Sequence, residues 1–345
     1  MYFISLYFIS LFLYGLNCIQ KTVLSGFLIV LLWCLLIASR DIFYGQDMVM
    51  YYHIFLDSNY YKLDELGLNY LNDFISFFSN DFFFFSIVYA VIINFLLLYL
   101  LKLCDRENYI LLFIFFTSYF IFYQLNFNIY RQGLAIIISL LGLLLYSKNR
   151  LFLLLLFVAI LFHKAAILTL VFFILSFIKF RRYYCLIGLF ISLIPIPDNI
   201  YIFLAEVVGE YIPILKQSLT EYIRVVRVGV IGAASLDQKN IPIIISLLFI
   251  YFSKVKINKL QENIFIVYVW GVIFASIFKG NVIIYDRVLL YSQILFPYVL
   301  FFILKNIFPS KNKVLYVSLA SVQVLITVLI WGPRNFLPDY LFYMF

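Results

Sequence analysis

Long apolar runs alternate along this chain with short polar dashes, and that alternation predicts nearly every element. A spanning helix needs about 20 apolar residues, with about 17 to 25 as the working range. On that measure, spans are predicted near 1–19, 22–39, 81–101, 109–125, 132–147, 151–162, 165–179, 183–198, 241–253, 263–279, 287–304 and 314–332. The run 151–162 is short. At roughly 1.5 Å per residue it covers about 18 Å, little more than half of a hydrocarbon core about 30 Å thick. Residues 150–180 therefore predict a helical hairpin with one abbreviated leg. Its turn at His163-Lys164 then lies below the membrane surface, in protein or in a water-filled cavity, because polar backbone is not tolerated against lipid.

Two segments interrupt the alternation, 40–80 and 198–240. Both mix aromatic and charged residues at helical spacing, which predicts amphipathic helices lying in the membrane interface. Pro195, Pro197, Pro213 and Pro242 punctuate the second segment. Neither an internal repeat nor a low-complexity linker divides the chain. The expected class is an all-α polytopic membrane protein with about 12 membrane helices, forming one integral membrane domain over residues 1–345.

Composition strengthens this reading. The 345 residues are 66% hydrophobic and 12% charged, against about half apolar and about a quarter charged in soluble domains. One core cannot hide that excess. The first apolar run has no basic stretch ahead of it and is expected to be a retained helix. Cys18, Cys34, Cys104 and Cys185 lack metal-ligand spacing and are expected to be free core residues.

The net charge of +8 would suggest nucleic acid in a soluble protein; here it follows from topology. If 40–80 is outside, the alternate loops hold 14 of the 25 Lys and Arg, with only Asp105, Glu107 and Glu262 among the acids. By the positive-inside rule those short basic loops are cytoplasmic. Nucleic acid is not an expected partner; membrane lipid is.

Sorting polar residues by side then isolates the candidate chemistry. Cytoplasmic Lys and Arg flank spans as anchors. Outer arginines run against the topological rule, and guanidinium groups around one cavity suit phosphate or carboxylate. Arg131 opens a span, where it serves either an anionic ligand or headgroup phosphates. Gln132 beside it binds ligand or a neighbouring helix. His163, at the tip of the short hairpin, is a candidate general base; Lys164 reads as an interface anchor. Arg287 follows Tyr285-Asp286 at the start of a helix, where it serves an anionic ligand or pairs with Asp286 alone. Arg224 and Arg227 share a helical face, as a phosphate clamp or a solvated surface would. Asp47 follows Gly45 in an expected turn and either caps the helix that follows or has a functional role. No GxGxxG, P-loop, CxxC or HExxH is present, so no metal and no cofactor are expected. No broken-helix pair repeats between halves, as secondary transporters often show.

Several of these residues fall in a recognisable order. Arg40-Asp-Ile-Phe-Tyr-Gly45-Gln-Asp47-Met-Val-Met-Tyr51 is followed by Arg131-Gln132-Gly133-Leu134-Ala135, then by Lys148-Asn-Arg150, then by Ala159-Ile-Leu-Phe162-His163. Arg287 with Tyr291 comes last. This sequence resembles the EpsG-type proteins, Wzy-like polymerases of bacterial extracellular polysaccharide and O-antigen, over about residues 35–300. Lys164 departs from the family pattern and is given no catalytic role. The resemblance implies a glycosyltransferase that joins oligosaccharide repeat units carried on undecaprenyl pyrophosphate, at the outer face of the cytoplasmic membrane. It implies Arg131 and Arg287 at the leaving pyrophosphate, supported by Arg40, Gln132 and Arg224 or Arg227. His163 takes the acceptor proton in this reading, with Asp47 as the alternative base. A chain-length regulator is a conceivable protein partner. The rival readings are a lipid-linked oligosaccharide flippase, and a glycan ligase or acyltransferase of the same pathway.

Overall fold

Local signals start the long helices. Asp81 accepts a hydrogen bond from Phe84 N at 3.2 Å and caps the helix that follows. Asn258 and Gln261 form a capping box at the head of Lys259–Ile277. Both arrangements satisfy amides that a first helical turn leaves without partners.

The computed structural model describes residues 2–20, 24–43, 45, 47–57, 65–145, 151–194, 202–203, 206–207, 210–211, 241–253, 256–279 and 282–331. Among them regular structure is helical, and a helix lies at each of the twelve predicted positions. Four helices are long and apolar enough to cross a membrane alone: Phe82–Cys104, Lys259–Ile277, Ile284–Ile307 and Asn312–Leu329. Among the described residues the other apolar helices are shorter, 10–17 residues each.

One predicted span is broken. Residues 109–125 are read from the sequence as continuous, but Tyr109–Ser118 and Phe120–Phe127 meet at an angle of 81°. Tyr119 between them is extended. Thr327 Oγ1, more than 200 residues away, donates to the Ser118 carbonyl at 2.8 Å. A freed carbonyl at membrane depth needs such a partner.

The helices gather into two compact units: Met1–Ala166 with Lys311–Phe345, and Ile167–Ser310. Nine helices of the first unit matter below: α1 (Tyr2–Gln20), α2 (Leu24–Ala38), α3 (Met48–Leu56), α4 (Leu66–Ser76), α5 (Phe82–Cys104), α6 (Tyr109–Ser118), α7 (Phe120–Phe127), α8 (Tyr130–Leu145) and α9 (Phe152–Phe162). In α8, every residue from Gln132 to Leu144 is buried. It is the core helix of this unit, packed against α5 and α9. Within segment 40–80 the described helices are α3 and α4. On α4, Leu66, Tyr70, Phe74 and Phe77 are exposed at three- and four-residue spacing, while Leu68, Asn72 and Ile75 are buried. The short leg 151–162 is present as α9, only 11 residues long.

In the second unit, Lys259–Ile277 packs along Val282–Ile307. Ser292 Oγ donates to the Tyr268 carbonyl at 2.8 Å, and Tyr268 and Ser246 pair through their hydroxyls at 2.7 Å. Lys279 donates to the Ser192 carbonyl. Three of the four cysteines are buried as expected; Cys18 is exposed.

Candidate functional site

Three chain segments from the first unit meet at the start of α8. Arg131 lies in its first turn. Its Nη1 is 2.5 Å from Glu65 Oε2, the residue immediately before α4. The other oxygen, Glu65 Oε1, is 3.9 Å from His163 Nε2, at the C-terminal end of α9. Side-chain exposures of 18% for Arg131, 10% for Glu65 and 14% for His163 keep the cluster within reach of a ligand while removing most water.

Close helix packing sets the position of Glu65. A Cβ on Gly67 would lie 3.0 Å from both the carbonyl carbon and oxygen of Leu161. The backbones of α4 and α9 therefore approach so closely that any side chain at position 67 would push them apart by a few tenths of an ångström, and this approach brings Glu65 to His163. His163 ends α9 in extended conformation, and its Nδ1 accepts the Ala165 backbone N–H at 3.1 Å. With Nδ1 taken as an acceptor, the neutral ring carries its proton on Nε2, toward Glu65. The 3.9 Å gap exceeds a direct hydrogen bond, about 2.7–3.2 Å for N–H···O, but one hydroxyl oxygen can contact both groups.

The segment 40–51 folds against the same helix start. The Arg131 guanidinium sits over the Tyr51 ring, 5.6 Å from its centroid, and its Nε donates to the Tyr51 hydroxyl at 3.4 Å. Tyr51 stacks on Tyr130 (5.6 Å, 19°), which stacks on Tyr89 of α5 (4.8 Å, 6°). Burial pushes the Tyr51 hydroxyl above its ordinary pKa, with Arg131 pulling the other way, so it stays a neutral acceptor. At the middle ring of the stack, Arg40 Nη2 donates to the Tyr130 hydroxyl at 2.7 Å, and Nη1 to the Ile37 carbonyl at 2.6 Å. The Arg40 guanidinium also lies 4.7 Å from the Phe127 ring centroid. Gly45 makes this fold possible: its φ is +108°, and a Cβ there would stand 2.3 Å from the Phe127 carbonyl oxygen.

Of the residues singled out from the sequence, Arg131, His163 and Arg40 thus belong to one connected arrangement. Asp47 occupies the N-cap position of α3 without a side-chain cap bond; its charge acts on Tyr51. Gln132 is buried in α8. Arg287 lies in the first turns of Val282–Ile307, in the second unit. Arg224 and Arg227 lie outside the described residues. Glu65 was missed because segment 40–80 reads as a mixed, solvated surface. The available signal was a demand: an arginine at membrane depth needs a counter-charge. Among the described residues, no three His, Cys, Asp or Glu gather as a metal site.

A family model described as the EpsG family matches residues 23–339 of the 345. No curated protein and no solved structure matches the chain. The chain belongs to the EpsG family, associated with polysaccharide polymerisation in exopolysaccharide biosynthesis, and is a multi-pass helical membrane protein.

Proposed function

From that membership, we propose that the chain joins oligosaccharide repeat units carried on undecaprenyl pyrophosphate, at the outer face of the bacterial cytoplasmic membrane, with about twelve helical segments in the bilayer. The observation that carries the reading is the convergence of Arg131, Glu65 and His163 in one partly open cluster. Glycosyl transfer from a pyrophosphate needs a cation for the departing charge and a base for the acceptor hydroxyl. The cluster holds both types.

Arg131 receives the donor pyrophosphate. Its Nη1 and Nε are engaged by Glu65 and Tyr51, and Nη2 is the group it turns to a phosphate oxygen. Pyrophosphate on Nη2 shares the guanidinium charge with Glu65, whose carboxylate becomes a stronger base. An acceptor hydroxyl in the gap between Glu65 and His163 gives its proton to Glu65. Its oxygen bonds the anomeric carbon while the bond from that carbon to the phosphate oxygen breaks. The electron pair leaves on pyrophosphate, facing Arg131. The products are a glycan longer by one unit and undecaprenyl pyrophosphate, and Glu65 returns its proton to water.

His163, read from the sequence as the base, takes another part in this scheme. With Nδ1 engaged by Ala165, it donates from Nε2 and holds the acceptor oxygen. Asp47 remains the alternative base. Arg40 acts through Tyr130, fixing the stack on which Arg131 rests.

A strain lacking the gene tests this reading. It is expected to lose long polymer and to accumulate single repeat units on the lipid carrier in the outer leaflet. Wild-type protein restores polymer and Arg131→Ala does not. Accumulation confined to the inner leaflet would instead assign a flippase, and normal polymer length in Arg131→Ala would remove the central claim.

A further inference from the structure

Beyond the cluster, α4 borders a cavity of about 260 Å³ in the first unit. Asn69, Asn72, Asp73 and Ser76 line it from α4, with Phe55 from α3 and Asn80 from the turn before α5. Asn69, Asn72, Asp73 and Ser76 follow a three- and four-residue spacing and so share one face of the helix. The end residue of that face is Glu65 itself, four residues before Asn69.

The lining selects a kind of ligand. Three carboxamides offer donors and acceptors together, Ser76 offers a hydroxyl, and Asp73 accepts only. Phe55 adds an apolar wall. No Lys, Arg or His is among the lining residues, so a phosphate or uronate would meet Asp73 without compensation. A polyprenyl chain would strand the amides. A group dense in hydroxyls with one apolar face fits all of these constraints. A buried partner prepares the site as well. Asn72 is 4% exposed, and its Oδ1 accepts from the Tyr89 hydroxyl at 2.8 Å. That bond fixes the amide plane and leaves its NH₂ group for the cavity. Tyr89 is also the end ring of the stack that leads through Tyr130 and Tyr51 to Arg131.

We infer that this cavity is a subsite for one uncharged sugar ring of the repeat unit, next to the ring that reacts. The inference rests on the polymerase reading for the source of the sugar. At about 1.5 Å per residue, Asn69 and Asn72 lie roughly 6 and 10 Å along the helix from Glu65, too far to hold the reacting carbon and suited to a neighbouring ring.

Saturation-transfer NMR on the purified full-length protein tests it, with the methyl glycosides of glucose, galactose and N-acetylglucosamine as uncharged probes and methyl glucuronide as the charged one. At least one uncharged glycoside is expected to bind, and the glucuronide at least tenfold more weakly. Asn72→Ala and Asp73→Asn are each expected to weaken binding tenfold or more; Asp73 is exposed, so its variant keeps the fold. Glu65→Gln retains glycoside binding. Equal binding in both cavity variants, equal binding of the glucuronide, or no binding of any uncharged probe overturns the subsite. Its fate is separable from the polymerase reading. Glycoside binding in a protein whose deletion leaves polymer intact would keep the subsite and remove the polymerase.

Discussion

Glu65 Oε2 lies 2.5 Å from Arg131 Nη1, across 66 positions of sequence. The contact joins the residue before α4 to the first turn of α8, a helix buried from Gln132 to Leu144. It also gives the resting protein an internal anion where the proposed donor pyrophosphate binds. Removing that anion without removing its shape is the direct probe. Glu65→Gln is expected to lower turnover by about 10²–10⁴-fold, the usual worth of a general base, while single lipid-linked units accumulate. Polymer of normal length in that variant would return the base role to His163 or Asp47.

Stability separates the pair from its chemistry. Arg131→Ala leaves a carboxylate largely out of water, and a loss of about 2–3 kcal/mol is expected, below the roughly 3–5 kcal/mol of fully buried pairs because both side chains keep some solvent. Combining it with Glu65→Ala should recover part of that loss and none of the activity. Thermal unfolding of the three variants in detergent, run beside the polymer assay, checks both halves. Additive destabilisation would mean the two charges do not support each other.

Gly67 offers a variant outside the cluster. Gly67→Ala places a methyl group 3.0 Å from the Leu161 carbonyl, so α4 and α9 must separate and the gap of 3.9 Å between Glu65 and His163 widens. Misplacement of reacting groups by about 1 Å costs on the order of 10²-fold in rate. The expected result is a folded, well-expressed protein that makes little long polymer. Wild-type rates would show that the spacing is not set there.

Topology can be read chemically. Ala165→Cys in a Cys18→Ser background, which removes the exposed native thiol, should label with slowly permeant reagents added outside and not with the same reagents confined inside. Labelling from inside alone would invert the orientation and put the cluster on the cytoplasmic face.

Arg131 and His163 stood out in the sequence because charge within an apolar run is expensive and therefore conspicuous. The short leg 151–162 was visible for the same reason, since length against bilayer thickness is a simple measure. Glu65 was not visible: it sits among Asp57, Lys62, Asp64 and Asp73, where no local pattern marks one carboxylate as buried. The break at Tyr119 was hidden too. Neither Gly nor Pro precedes it, and the Ser118 carbonyl that it frees is satisfied by Thr327, more than 200 residues away, a contact that no window of sequence contains. The stretch from Arg40 to Tyr51 lies between these cases. Its residues were recognisable in order, while the reason for their spacing, closure around Tyr130 with Gly45 against Phe127, is three-dimensional.

The stack of Tyr89, Tyr130 and Tyr51 has a consequence for the lipid around it. Helices in a bilayer tilt or slide to match its thickness, and residues near their ends change depth as they do. Here α5, α8 and α3 are pinned to one another at a single level by three rings in contact, with Arg131 at one end and Arg40 at Tyr130. A thicker or thinner membrane is expected to move this assembly as one body, keeping the separation of the two guanidinium groups.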